Sequence, residues 1–196
     1  MPRRDSPHAQ RNRVRIAQAA ARLIAEHGLA DWRAAKRKAC RQLGLPEREG
    51  LPDNEEVEQA LRDYNSLFQP AAQAASLRAQ RMEALRWMEQ LSSWYPVLVG
   101  AVAAGWATVH SEIRLELQAP DPKSVELALI NAGIPYTAAS PQGDGSGEAQ
   151  LRVEHSGITV RLVVVSAEQR RNRSRRSDDE RLALSGLRAL LAGTES

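Results

Sequence analysis

Between Trp94 and Gln118 the chain reads WYPVLVGAVAAGWATVHSEIRLELQ, and this order of residues admits few backbone paths. Val97, Leu98 and Val99 form a short, largely β-branched run that ends at Gly100, and a small-residue segment follows with a second glycine at Gly105. Residues 112–117 then alternate polar with apolar. A short apolar run closed by glycine reads as a buried strand and a tight turn, whereas strict alternation reads as a strand with one face in a core. The segment therefore predicts strand, glycine turn, short helix, strand. In the second strand Ile113, Leu115 and Leu117 point one way, while Glu112, Arg114 and Glu116 point the other. Gly100 lets the backbone turn tightly, so that the amides opening the next helix can face an anion.

Helical periodicity dominates upstream. Residues 1–13 are polar and basic, with Pro2 and Pro7, and read as a disordered basic tail. Helical order is expected from Val14, with Ile16, Ala20, Leu23 and Ile24 on one face and Gly28 at the end. Asp31 is placed to cap a second helix whose stripe is Trp32, Ala35, Ala39 and Leu43. Arg33, Lys36, Arg37, Lys38 and Arg41 point elsewhere, and Gly44 and Pro46 stop the helix. Asp53 and Glu56 form a capping box for a third helix carrying Val57, Leu61, Tyr64 and Phe68. Pro70 ends it, and residues 71–94 make a long helix broken by Tyr95 and Pro96.

Downstream, Asp121 caps a helix over residues 122–132 that Gly133 terminates, and an extended piece covers 134–136. Residues 140–148 have the composition of a linker, after which residues 151–154 and 158–165 form a hairpin across His155, Ser156 and Gly157. The arginine run from Gln169 to Arg176 reads as a loop, and Ser177 with Glu180 starts a closing helix whose apolar side is Leu182, Leu187, Leu190 and Leu191. The expected fold class is α+β: a helical region over 14–94, then a small mixed β-sheet with flanking helices over 95–196.

Composition narrows the function classes. At 42% hydrophobic and 26% charged, a chain of 196 residues buries one good core with a helical appendage. Its net charge of +3 comes from 27 basic against 24 acidic residues, so the distribution of arginine says more than the total. A single cysteine, Cys40, excludes an internal disulfide framework and fits a reducing, cytoplasmic setting of bacterial type; at helical spacing from Ala39 and Leu43 it reads as a small core residue. No apolar run reaches bilayer-spanning length, so no membrane partner is expected. His8, His27, His110 and His155 are too scattered for a metal site, and no Walker motif, nucleophile elbow or zinc pattern occurs.

The glycine turn followed by an acidic strand resembles the core of the polymerase-beta-like nucleotidyltransferase superfamily. The resemblance covers residues 97–165 and includes the run Ser111-Glu112-Ile113-Arg114, where that family has Ser-Asp-hydrophobic-Asp. Ala101 stands in place of the family's serine, Glu112 in place of its first carboxylate, Arg114 in place of the second, and Arg161 where the third strand would carry an acid. The resemblance implies nucleotide binding by Gly100, Ala101, Gly105, Ser111, Arg114 and Arg161. It makes Glu112 the catalytic and metal-binding candidate, with His110 beside Ser111 as a second catalytic candidate and Glu116 as a substitute ligand. Mg2+ is implied as cofactor only if the site is active. With arginine at two carboxylate positions, the expectation is a degraded metal site that retains nucleotide or nucleic-acid binding. Arg170, Arg171, Arg173, Arg175 and Arg176 are candidates for phosphate or nucleic-acid contact.

Two other readings stand beside this one. Residues 17–44 look like the opening of a TetR-type repressor, which would make the chain a DNA-binding regulator, but the Pro- and Gly-containing stretch LPEREGLPDN replaces the short turn that a helix-turn-helix needs. The other is a non-catalytic protein that binds a protein partner.

Overall fold

A computed structural model of the chain describes residues 7–29, 31–47, 50–68, 70–139, 149–174 and 181–193. The fold is α+β, and among the described residues it has eight α-helices and one mixed six-stranded sheet. No helix among them is long and apolar enough to cross a membrane. The chain divides into two compact units, and the division runs through a helix: residues up to Ser76 with Trp106–His110 form the first, Leu77–Gly105 with Ser111 onward the second.

In the first unit, α1 (Pro7–His27) packs against both α2 (Trp32–Leu43) and α3 (Asn54–Phe68). The caps follow the local sequence. Asp31 accepts from the amides of Arg33 and Ala34, and Gly44 ends α2 in the left-handed region, its N–H donating to Arg41 and Cys40. Asp53 and Glu56 exchange side-chain and backbone hydrogen bonds at 2.8 Å each, the reciprocal capping box. Ile16, Ala20, Leu23, Ala35, Ala39, Val57 and Leu61 make the core. The segment 106–110 belongs here through its own contacts: Trp106 stacks edge-on against Trp32 at 5.3 Å, its carbonyl accepts from Asn65, and that of Ala107 accepts from Gln73.

Two expectations are corrected in this unit. Helical order begins at Pro7, so residues 7–13 are not tail; Asn12 is buried and bonds back to His8, and Arg13 pairs with Glu56 of α3 at 3.4 Å, contacts that local composition does not reveal. Residues 1–6 lie outside the described residues. Lys36 does not point away with the other basic residues of α2. It is buried, and its ammonium donates to Asn54 at 2.8 Å, where it neighbours Asp53 and Glu56 at the start of α3.

The second unit is built on the sheet. Its strands, β1 (Val97–Val99), β2 (Ile113–Gln118), β3 (Thr137–Ala139), β4 (Gln150–His155), β5 (Ile158–Val165) and β6 (Arg181–Ala183), lie in the order β3-β4-β5-β2-β1-β6. All neighbours are antiparallel except β2 and β5. That parallel pair needs a crossover, which α6 (Pro122–Asn131) begins after Asp121 caps it. β4 and β5 form a hairpin over Ser156 and Gly157, both at positive φ as a two-residue loop between twisted strands requires. One sheet face is apolar: Leu98, Ile113, Leu115, Leu117, Leu151, Val153, Val160 and Leu162 are all buried. Trp87 and Met88 of α4 (Pro70–Gln90), Val125 and Leu129 of α6, and Leu187 and Leu191 of α8 (Leu184–Gly193) complete the core.

Here too the structure corrects local readings. The long helix stops at Gln90 and is followed by a 3-10 turn at Ser92–Trp94. The extended piece is β3, three residues later than expected, because its partner is residues 150–152 of β4. Leu182 is not part of the closing helix but the centre of β6, paired with Leu98. The arginine run is not wholly a loop, since residues up to Ser174 form α7 (Ala167–Ser174). Ser166 and Gln169 cap it reciprocally at 3.1 and 2.7 Å. Ser177 and Glu180 lie outside the described residues.

Candidate functional site

The glycine turn after β1 sets the geometry. Gly100 has φ 74° and ψ −153°, a region that only glycine occupies without strain. The turn leads into α5 (Ala101–Ala104), a single turn of helix that Gly105 closes in the left-handed region. Arg81 of α4 donates to the carbonyls of Val102 and Ala103 at 3.0 Å each, placing a cation at the negative end of α5. A helix this short has little dipole, and a side chain brings full charge near the turn. Arg114 lies with its Cδ 3.7 Å from where a Cβ on Gly100 would be.

Residues opposite one another in a sheet share a face. The register sets Arg181, Val99, Arg114, Arg161 and Arg152 side by side across β6, β1, β2, β5 and β4. Three arginines therefore stand consecutively on β2, β5 and β4, on the face that the resemblance reserves for carboxylates. Arg161 donates Nε and Nη2 to Glu112 at 2.7 and 2.6 Å, and its Nη1 donates to Gln150 at 3.1 Å. Arg152 reaches the other oxygen of Glu112 at 3.6 Å, while its Nε is buried and, among the described residues, without a hydrogen-bond partner. Arg114 is exposed, and among the described residues it has no ion pair.

Glu116 is 4% exposed and is held by both terminal nitrogens of the Arg181 guanidinium, Nη1 at 3.2 Å. Four residues of extended chain put Glu112 and Glu116 about 13 Å apart along the strand. Each acid is committed to arginine, and the two are too distant to share one ion. Among the described residues no cluster of three metal-capable side chains occurs. This donor set does not fit Mg2+, which takes one or two carboxylates at an otherwise hydrated, charge-uncompensated site.

The remaining candidates separate. Arg114, Arg161, Glu112 and Gly100 do come together. Ala101 opens α5 and Gly105 closes it. Ser111 accepts a hydrogen bond from Gln80 through its carbonyl at 3.3 Å. His110 belongs to the first unit, its ring against Gly28 so closely that a Cβ there would sit 2.7 Å from Cγ. Cys40 is fully buried, and burial first, then Glu47, pushes its thiol above the ordinary range, so it is a core residue. Arg170 and Arg171 lie on α7, as does Arg173; Arg175 and Arg176 lie outside the described residues.

Sequence reading missed Arg152, Arg181 and Arg81. Arg152 and Arg181 alternate correctly for this face, but only strand register shows which rows they join; Arg81 depends on α4 meeting α5. Compared with known proteins, the chain matches no family model, and no curated protein matches its sequence.

Proposed function

We propose that this chain is a nucleotidyltransferase-like protein whose metal site has been replaced by arginine–carboxylate pairs, and that it binds the phosphates of a nucleotide, or of a nucleic-acid end, without a divalent cation. The observation that carries the reading is the row Arg114, Arg161, Arg152 beside Gly100, with Glu112 held by two of its members. Catalysis of nucleotidyl transfer needs an ion to neutralise the triphosphate and activate the attacking hydroxyl. In this chain fixed guanidinium groups supply the neutralising charge, and the acids of the face, Glu112 and Glu116, are both engaged by arginine. Arg114 is the exposed member that first meets a phosphate, and Arg152 offers a donor that has no partner among the described residues.

The regulator reading is weaker on charge. The helix after the α2 loop opens with Asp53, Glu55, Glu56 and Glu58, which would meet DNA phosphates with like charge.

Calorimetric titration with nucleoside triphosphates, with Mg2+ and then with a chelator, tests the proposal. Binding should survive the chelator and weaken about tenfold or more in Arg114→Ala, the loss of one charge-assisted hydrogen bond. Labelled-nucleotide assays should show no transfer. Binding that requires Mg2+, or transfer that Glu112→Ala abolishes, would overturn the reading.

A further inference from the structure

Towards the C-terminal ends of β2 and β5, the arginine-bearing face of the sheet forms one wall of a cavity of about 380 Å³. Val97, Gln118 and Ala183 line it from the strands, and α7 brings Arg170 and Arg171 over it, opposite Arg181. Arg181 is turned onto Glu116. Arg170 shares that carboxylate electrostatically: burial lowers its affinity for a proton, Glu116 raises it, and Arg181 lowers it again. Arg181 is paired with that carboxylate, Arg170 lies within its field, and Arg171 is on the wall besides. Arg170 Nη1 is buried and, among the described residues, has no hydrogen-bond partner. A buried guanidinium donor left unpaired is unfavourable, so Arg170 loses no bond at Nη1 when it turns to an acceptor in the cavity.

We infer that this cavity is a second binding site, separate from the face around Gly100, and that it takes the phosphate group of a small phosphomonoester. A phosphomonoester carries about −1.5 to −2 charges near neutral pH and three acceptor oxygens. Arg170 and Arg171 approach those oxygens from the helix, Arg181 from the sheet, and guanidinium forks bind phosphate oxygens in pairs. The apolar contribution of Val97, Ala167 and Ala183 receives the organic part of the ester. The volume is near the lower end of small-molecule pockets, which run from about 300 to 1,000 Å³, and so suits one phosphate with a small group rather than a polymer strand. Glu116 is the internal competitor: the ligand binds by drawing Arg181 partly away from it.

The probes are inorganic phosphate, phenyl phosphate and an unphosphorylated single-stranded oligonucleotide, titrated calorimetrically into the full chain. Phenyl phosphate should bind saturably at one site, more tightly than inorganic phosphate. Arg170→Gln should weaken it at least tenfold, whereas Arg114→Ala should leave it within twofold, which separates this site from the nucleotide-binding face. Glu116→Gln should tighten it, and the same variant should lose thermal stability that phenyl phosphate restores. Because Arg181→Gln alone strands Glu116, the double variant Glu116→Gln with Arg181→Gln serves as the second loss-of-binding test. Absence of saturable binding by the parent, equal binding by Arg170→Gln, loss in Arg114→Ala instead, or preference for the unphosphorylated oligonucleotide would each overturn the inference.

Discussion

A few side chains decide what the polar sheet face holds. Arg161 is the main partner of Glu112, and Arg161→Ala would leave that carboxylate only Arg152 at 3.6 Å. The pair is partly buried, so the loss should fall between about 1 kcal/mol for an exposed pair and about 3 kcal/mol for a buried one. Removing Glu112 as well should restore most of it, as urea melts of both variants would show. In the first unit, Tyr64 donates to Glu26 at 2.7 Å, and that hydrogen bond, then Arg22, holds the Glu26 carboxyl below its ordinary value. A carboxylate with a depressed folded-state value contributes stability that is present above its unfolded value and lost as pH falls through the folded one. Tyr64→Phe should therefore lower Tm at neutral pH, and the gap from the parent should close as pH falls below the carboxylate range. The buried Cys40 thiol should react with a disulfide reagent only after unfolding, one equivalent per chain.

Elements depend on backbone positions that side-chain chemistry cannot replace. At Gly100 there is room for a methyl group, the nearest atom being 3.7 Å away, yet the dihedral angles exclude one. Gly100→Ala should destabilise by about 1 to 3 kcal/mol with no steric clash, measured by thermal melts. Ser166→Ala should weaken α7 by about 1 kcal/mol and reduce phenyl phosphate binding with it, since α7 carries Arg170. The elements legible in the sequence were those with local causes: the Asp31 cap, the Asp53 and Glu56 box, the Gly44 and Gly133 stops, and the Ser156-Gly157 hairpin. Ser166 and Gln169 form the same kind of box, although a run of arginines follows directly. Lys36 and Leu182 were not legible, because the burial of each depends on an element distant in sequence, Asn54 for one and β1 for the other. At the site, alternation placed Glu112, Arg114 and Arg161 on one face, while Arg152 and Arg181 joined them only through register.

At the scale of the whole chain, two cores stand on different contacts. The first is made by helices close in sequence, whereas in the second Arg161 and Glu112 meet across 49 residues. Leu61→Ala, in a position with no exposure, should destabilise by about 2 to 5 kcal/mol. Hydrogen exchange should quicken through α1, α2 and α3 while amides of β2 and β5 stay protected; uniform acceleration would show one cooperative unit. The place of β6 has a consequence of another kind. β1 is three apolar residues long, flanked by β2 on one side and on the other only by Arg181, Leu182 and Ala183. Those three residues pair with the amides and carbonyls of an apolar strand and so stand between them and any second copy of the chain. Being short, and beginning with a charged residue, β6 is itself a poor template for strand addition. Shortening the chain before Arg181 would thus turn β1 into an open edge, and the molecule would self-associate through Val97, Leu98 and Val99.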